Sequence, residues 1–271
     1  MIDLHLHTTA SDGLLPPAAL VSRAADAGLR TISITDHDTC GGLAEAQTAA
    51  REHGIRLVSG AEITAIEDGR DVHMLAYFLD PLHPALAAFL DTQRMNRERR
   101  VREIGERLAS LGCAIDVEPL IASAGCGRTI GRPQIADALV HAGYAADRDD
   151  VFARLLGTGR PGFVSRRGPR PEEVIAIVGD AGGIVSMAHP GLTAMDHLIP
   201  RLAVAGLQAL EVCHSDHDAE TEQRYRGIAA QHGLAVSGGS DFHGEVGQRA
   251  TMLGRVTLPA CDFTALEARR S

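Results

Sequence analysis

Lysine and tryptophan are both absent from the 271 residues, and aromatic residues make up only 3% of them. A core without large rings has to be filled chiefly by Ala, Val, Leu and Ile, which suits helices packed closely on a parallel sheet. Because Lys is missing, all 26 basic residues are Arg, so any cationic side chain that holds a phosphate does so through a planar guanidinium fork. The five cysteines (Cys40, Cys113, Cys126, Cys213 and Cys261) are scattered and form no Cys-x-x-Cys pair. That pattern points to a reducing compartment without structural disulfides. Long apolar runs are lacking too, which excludes a spanning helix and a membrane partner. With no leader pattern before the first strand, a cytoplasmic protein is expected. The formal net charge of -9 argues against long duplex nucleic acid as a partner. A small anionic substrate is still open, since a local site can oppose the global sign.

What is present is a rhythm. Apolar and polar residues alternate from Ile2 to His7, the pattern of a strand. A helix opening at Pro16-Pro17 follows, carrying Leu20, Val21, Ala24 and Ala25. Then come a strand over Thr31–Thr35, a helix over Leu43–His53, and strands over Ile55–Val58 and Val72–Phe78. The order implies parallel strands with covering helices. From residue 84 to 162 the pattern becomes helical. One long helix puts Leu90, Val101, Ile104, Leu108 and Leu111 on one face, a second begins at Pro133, and a third covers about Asp149–Leu156. The alternation resumes at Pro171, with strands over Ile184–Ala188, Ala209–Cys213 and Ala235–Ser237. The chain therefore reads as α/β: a barrel over residues 1–83 and 163–271, interrupted by a helical insertion at 84–162.

Groups able to bind metal recur where these strands end: His5 and His7, Asp12, His37, Glu62, His73, His189, Asp241 and His243. His5 and His7 lie two apart and leave the same face of their strand. Taken singly, His73 and His189 suit a satisfied core, Asp12 and Asp38 suit turns, and Glu62 suits a helix cap. In parallel barrels, however, the carboxyl ends of the strands form the active face, and so many His and carboxylate groups on one rim are best explained by metal. Imidazole and carboxylate together suit Mn²⁺, Fe or Zn²⁺, with Mn²⁺ first. Paired ions activate water and clamp a phosphoryl group. The expected nucleophile is thus metal-bound hydroxide, with Asp38 a weak candidate for general acid.

In its motifs the chain resembles the polymerase and histidinol phosphatase (PHP) superfamily. These are Asp3-Leu4-His5-Leu6-His7 with Asp12, Thr35-Asp36-His37-Asp38, Gly60-Ala61-Glu62, His73, Ala188-His189-Pro190-Gly191 and Ser240-Asp241-Phe242-His243. The resemblance implies a distorted (β/α)7 TIM-like barrel and three divalent ions. By that pattern His5, His7, Glu62 and Asp241 hold one ion. Glu62 bridges to a second, which also takes His73 and His189. Asp12, His37 and His243 hold the third.

The insertion suggests what is recognised. Arg94 and Arg97 continue the long helix's apolar stripe and should point at an anion or snorkel out, whereas Arg100, one step off, should be solvated. Gly131-Arg132-Pro133 opens a helix whose free N–H groups, beside Arg132, could cradle phosphate. The insertion resembles a PHP branch that includes nucleoside 3′,5′-bisphosphate phosphatases and 5′–3′ exoribonucleases acting on short RNA. In that branch a His commonly stands where Gln134 stands here, and His217 matches a frequent branch His. Arg94, Arg97, Arg132, Gln134 and His217 are therefore the expected substrate contacts. The expected reaction is removal of the 3′-phosphate from a nucleoside 3′,5′-bisphosphate, with short 5′-phosphorylated RNA as a further substrate. The rivals are a histidinol-phosphate phosphatase, a C–N hydrolase of the amidohydrolase type, and a non-catalytic nucleotide sensor.

Overall fold

A computed structural model describes residues 1–125, 127–244 and 249–270. Seven strands form one sheet in sequence order: β1 (Ile2–Leu6), β2 (Thr31–Ile34), β3 (Arg56–Glu67), β4 (Arg70–Tyr77), β5 (Ile184–Met187), β6 (Ala209–His214) and β7 (Ala235–Gly239). Around them lie α1 (Pro17–Asp26), α2 (Leu43–His53), α7 (Pro171–Asp180), α8 (Pro190–Thr193), α9 (Ile199–Val204), α10 (Ala219–Gln231) and α11 (Ala260–Glu267). Between β4 and β5 run α3 (Pro84–Ser110), α4 (Glu118–Ala124), α5 (Arg132–His141) and α6 (Arg148–Val151), the last continuing as a π-turn over Phe152–Leu156. None of the described helices is long and apolar enough to cross a membrane.

The sheet curls until its ends meet. Phe242, just past β7, pairs in parallel with Leu6, and its carbonyl accepts the N–H of His7 at 3.0 Å. Gly239 permits this closure, because a Cβ there would fall 2.3 Å from the His5 backbone nitrogen. The result is a nearly closed α/β barrel whose first strand lies beside its last.

Two features depart from the sequence reading. The strand expected to stop at Val58 runs on through Glu67, and β4 returns antiparallel to it, with His73 opposite Thr64. The turn is Asp68-Gly69, both at positive φ (49° and 74°), an Asp-Gly pair of the kind that favours a tight hairpin. Because β4 is antiparallel to both neighbours, the barrel is not uniformly parallel. The second departure is Arg100. The sequence places it in solvent, yet it is only 5% exposed, with its Nε donating to the Val164 carbonyl at 2.8 Å.

The inserted helices have an apolar cluster of their own, including Val101, Ile104, Leu108, Ile135, Leu139 and Leu156. Leu86 and Leu90, at the other end of α3, belong instead to the barrel's cluster with Ile63, Val174 and Met187. One helix thus packs on both bodies and carries its middle, with Arg97 and Arg100, over the barrel mouth. Cys40, Cys113, Cys213 and Cys261 are free thiols, and Cys126 lies outside the described residues.

Candidate metal centre

The groups named from the sequence converge on Glu62, a carboxylate in the middle of β3 with 1% exposure. Its Oε2 lies 3.3 Å from His5 Nε2, 3.2 Å from His7 Nε2 and 3.1 Å from His37 Nδ1. Its Oε1 faces the other way, 2.7 Å from His73 Nδ1 and 3.3 Å from His189 Nε2. Asp241 Oδ1 completes the first group at 3.4 Å from His5 Nε2 and 3.1 Å from His7 Nε2. Asp12 lies to one side, 3.3 Å from His243 Nε2 and 3.8 Å from His37 Nε2. His189 and Asp241 both hold left-handed backbone (φ 25° and 52°). Non-glycine residues in such strain cluster at functional sites.

Carboxylates and imidazoles set each other's charge here. Burial alone would raise the Glu62 carboxyl, but the imidazoles of His37, His73 and His5 outweigh it and hold it well below the usual range. His7 is buried, which opposes protonation, yet the Asp241 and Glu62 carboxylates push it up to about 10. His37 is pushed down to about 3, by burial first and with the His7 and His73 imidazoles adding to it.

The residues fit a metal. His5 Nε2, His7 Nε2, His37 Nδ1, His73 Nδ1, Asp12 Oδ1 and Asp241 Oδ1 are buried without a hydrogen-bond partner among the described residues. Orphaned buried donors and acceptors are costly, and all of these aim inward. The groups able to hold an ion include His7, Asp12, His37 and His243; His5, His7 and Asp241; and His37, Glu62 and His73. A nitrogen and oxygen set without sulfur suits a divalent transition ion.

A fourth such group, His5, Glu211 and His214, was missed. Glu211 sits in β6 and accepts from His5 Nδ1 at 2.9 Å, which turns His5 Nε2 toward Glu62; its other oxygen accepts the His189 N–H at 2.8 Å. His214 Nε2 lies 3.3 Å from Asp241 Oδ2. His214 ends its strand as the other candidates do, so the same rule could have found it. Glu211 is signalled only by being a charge inside an apolar strand.

Asp38 does not suit the role of acid. Its Oδ2 accepts from Arg97 Nε at 2.6 Å and from Arg166 at 3.4 Å, while Oδ1 accepts the Thr64 N–H at 2.8 Å. Burial raises its carboxyl, but Arg97 and Arg166 more than offset this and keep it ionised. Gln134 is also engaged within the protein: Oε1 accepts from the Gly131 N–H and Nε2 donates to the Ser11 carbonyl, at 2.9 and 3.0 Å. Arg94 turns to Glu98 and Asp91 on its own helix. His217 donates from Nδ1 to the Val212 carbonyl and accepts the Gly191 N–H at Nε2, so both ring nitrogens are used by backbone.

Arginine gathers beside His73 instead. Arg100, Arg132 and Arg166 share the field of Asp71, with Arg166 Nε 3.5 Å from its carboxylate. Arg100 and Arg132 lie 5.7 and 5.6 Å from the Phe163 ring. Burial, with repulsion from neighbouring guanidiniums, lowers Arg166 to about 10 and Arg100 to about 9. Two carboxylates, Asp71 and Asp38, face four guanidiniums, Arg97, Arg100, Arg132 and Arg166, which leaves the cluster short of negative charge. Arg100 and Arg166 were not foreseen as part of it.

A curled sheet in an α/β fold, with clustered His and carboxylate groups able to hold metal at its mouth, defines a metal-dependent hydrolase. A family model for the PHP domain matches residues 3–122. The 3′,5′-nucleoside bisphosphate phosphatase of Chromobacterium violaceum is 36% identical over 247 residues, covering 89% of this chain and 87% of the relative. The 5′-3′ exoribonuclease Rnm of Escherichia coli is 34% identical over 250 residues, covering 89% and 84%. A crystal structure of a metal-dependent phosphoesterase from Bifidobacterium adolescentis superposes with a TM-score of 0.88 at 36% identity, covering 100% and 96%. The chain belongs to the PHP family of metal-dependent phosphoesterases.

Proposed function

We propose that this phosphoesterase removes the 3′-phosphate from nucleoside 3′,5′-bisphosphates. One observation carries the reading: a second anion site, the Arg100, Arg132 and Arg166 cluster, stands beside the metal centre at His73. A simple monoester has one phosphate and leaves that cluster unused. A bisphosphate fills both, the 5′-phosphate on the guanidiniums and the 3′-phosphate among the histidines.

In this reading three divalent ions, Mn²⁺ first, are held by the sets named from the sequence: His5, His7, Glu62 and Asp241; Glu62, His73 and His189; and Asp12, His37 and His243. Ions bound there supply polarisation of the phosphoryl oxygens and activation of water. The chain does the rest by placement. Glu211 fixes the face that His5 turns to the centre, and Glu62 presents one oxygen to each side. Asp38 holds Arg97 beneath the arginine cluster, and the guanidiniums orient the nucleotide so that its 3′ end reaches the centre. Such a substrate agrees with the cytoplasmic location expected from scattered thiols.

The test is phosphate release from adenosine 3′,5′-bisphosphate, AMP and histidinol phosphate by Mn²⁺-loaded enzyme, with Arg132→Ala alongside. The reading expects the bisphosphate to be preferred and Arg132→Ala to raise its KM far more than that of a monoester. Equal effects on both substrates would count against it.

A further inference from the structure

Two members of the metal centre ride on loops. Asp12 lies beyond the end of β1 at Leu6, and His37 beyond the end of β2 at Ile34. A ladder of backbone hydrogen bonds fixes residues inside a strand, whereas loop residues need other partners. The barrel supplies some of them. His37 keeps a bridge to Glu62, and Asp36 accepts from Thr8 Oγ1 and Ser11 Oγ, each at 2.6 Å, on the loop that carries Asp12.

The other partners come from the stretch that leads into α5. Thr129 donates its N–H to the Ala10 carbonyl at 2.9 Å and its hydroxyl to the His37 carbonyl at 2.7 Å. Gln134 Nε2 donates to the carbonyl of Ser11, the residue before Asp12, at 3.0 Å. Thr39 donates its hydroxyl to the Gly127 carbonyl at 2.7 Å. Arg97 spans the same junction, from Asp38 to the Ile130 carbonyl. The cavity left among Asp12, His37, Arg97, Thr129 and Gln134 is about 10 Å³, room for a single water at most. Residues 127–134 thus stitch the Asp12 loop to the His37 loop from outside the barrel. The same stretch carries Arg132, which opens α5 on the turn that holds Gln134. A ligand that fixes Arg132 therefore also fixes the donors that hold Asp12 and His37.

We propose that Thr129 and Gln134 are positioning residues for the Asp12, His37 and His243 group, and that a 5′-phosphate on Arg132 tightens metal binding at that group. The proposal rests on the three-ion and 5′-phosphate readings given above. Coupling between two sites is reciprocal, so metal held there tightens the 5′-phosphate in return. A bisphosphate thereby helps to complete the centre that hydrolyses it. A monoester whose one phosphate lies among the histidines leaves Arg132 free and gains nothing from the coupling.

Thr129→Val and Gln134→Met keep the shape of the side chains and remove the donors. Mn²⁺ is titrated into the full-length chelated protein, with free Mn²⁺ read by electron paramagnetic resonance, with and without AMP. AMP carries the 5′-phosphate and has no 3′-phosphate to lose. The proposal expects three equivalents in the wild type, one of them tightened about fivefold or more by AMP. In each variant that one equivalent weakens about tenfold or more and no longer responds to AMP. The other two stay unchanged, which also shows that the variant is folded. A wild type that binds two ions or fewer ends the three-ion reading and the proposal with it. Three ions in the wild type, with all of them or none of them weakened in the variants, overturn the proposal alone, as does an AMP effect that is absent from the wild type or survives in both variants. If AMP acts on Arg132→Ala as it does on the wild type, the 5′-phosphate reading of the arginines fails, and the coupling through Arg132 fails with it.

Discussion

Glu211 accepts a hydrogen bond from His5 Nδ1 at 2.9 Å while its second oxygen takes the His189 N–H at 2.8 Å. One fully buried carboxylate thus orients two residues that face opposite oxygens of Glu62. A carboxylate behind a metal-binding His fixes its tautomer and raises its basicity, and losing one lowers metal affinity or activity by about 10–100-fold. Glu211→Gln keeps the shape and removes the charge. It should weaken metal binding within that range, measured by titration of chelated protein, with circular dichroism unchanged. Full metal affinity would contradict the role.

His217 is expected to act through the loop that carries His189. Its Nε2 accepts the Gly191 N–H at 3.3 Å and its ring stacks on Tyr225 at 5.5 Å. His217→Ala frees a loop whose His189 backbone is strained at φ 25°. It should lower kcat by roughly tenfold, with KM for the bisphosphate little changed. His217→Gln, which keeps an acceptor near Nε2, should recover part of the loss. A rise in KM alone would restore the substrate contact expected from the sequence.

The arginines should separate into two kinds. Arg100 and Arg166 are buried beside Asp71, and a hydrogen bond to a charged group contributes about 1.5–3 kcal/mol. Arg100→Ala and Arg166→Ala should raise KM for the bisphosphate by about tenfold or more. Arg94 is paired on its own helix in the manner of a surface ion pair, worth about 0.3–0.5 kcal/mol, and Arg94→Ala should leave KM within about twofold. Comparable effects at Arg94 and Arg100 would remove the distinction.

Chelation should make stability fall as pH rises. In metal-free protein His7 is pushed from 6.5 up to about 10. A raised folded value adds stability that is complete below 6.5 and lost as pH rises toward 10. Chelated protein should therefore lose Tm from pH 6.5 to 9. Metal binding requires neutral imidazole, so metal-loaded protein should gain affinity over the same range and keep its Tm. Parallel pH profiles with and without chelator would contradict this.

The barrel and the gathering of His and carboxylate groups on one rim are legible because both leave local marks. Alternation and helical period announce strands and helices, and His or carboxylate at successive strand ends announces a rim. The reversal of β4 leaves only the Asp68-Gly69 turn as its mark, and the gap without a helix between β3 and β4 is otherwise compatible with the parallel rhythm. The arginine site was partly hidden because it is assembled from distant segments. Arg100 is buried by Val164 and Phe163, and Arg166 arrives from the loop before α7. Helical period alone placed Arg100 in water. Gln134 and His217 drew attention by their place in motifs, yet their hydrogen bonds are spent on Gly131, Ser11, Val212 and Gly191. Residue type and spacing do not show which partner a polar side chain has already taken.

The most direct test is the identity of the nucleotide left when adenosine 3′,5′-bisphosphate is hydrolysed. With the 5′-phosphate on Arg100, Arg132 and Arg166 and the 3′-phosphate among the histidines, the product is adenosine 5′-monophosphate and one inorganic phosphate. Phosphorus NMR distinguishes it from the 3′ isomer in the reaction mixture. Adenosine 5′-monophosphate, formed only when metal is present, is the result this account predicts. Adenosine 3′-monophosphate, or hydrolysis undiminished by chelation, would contradict it.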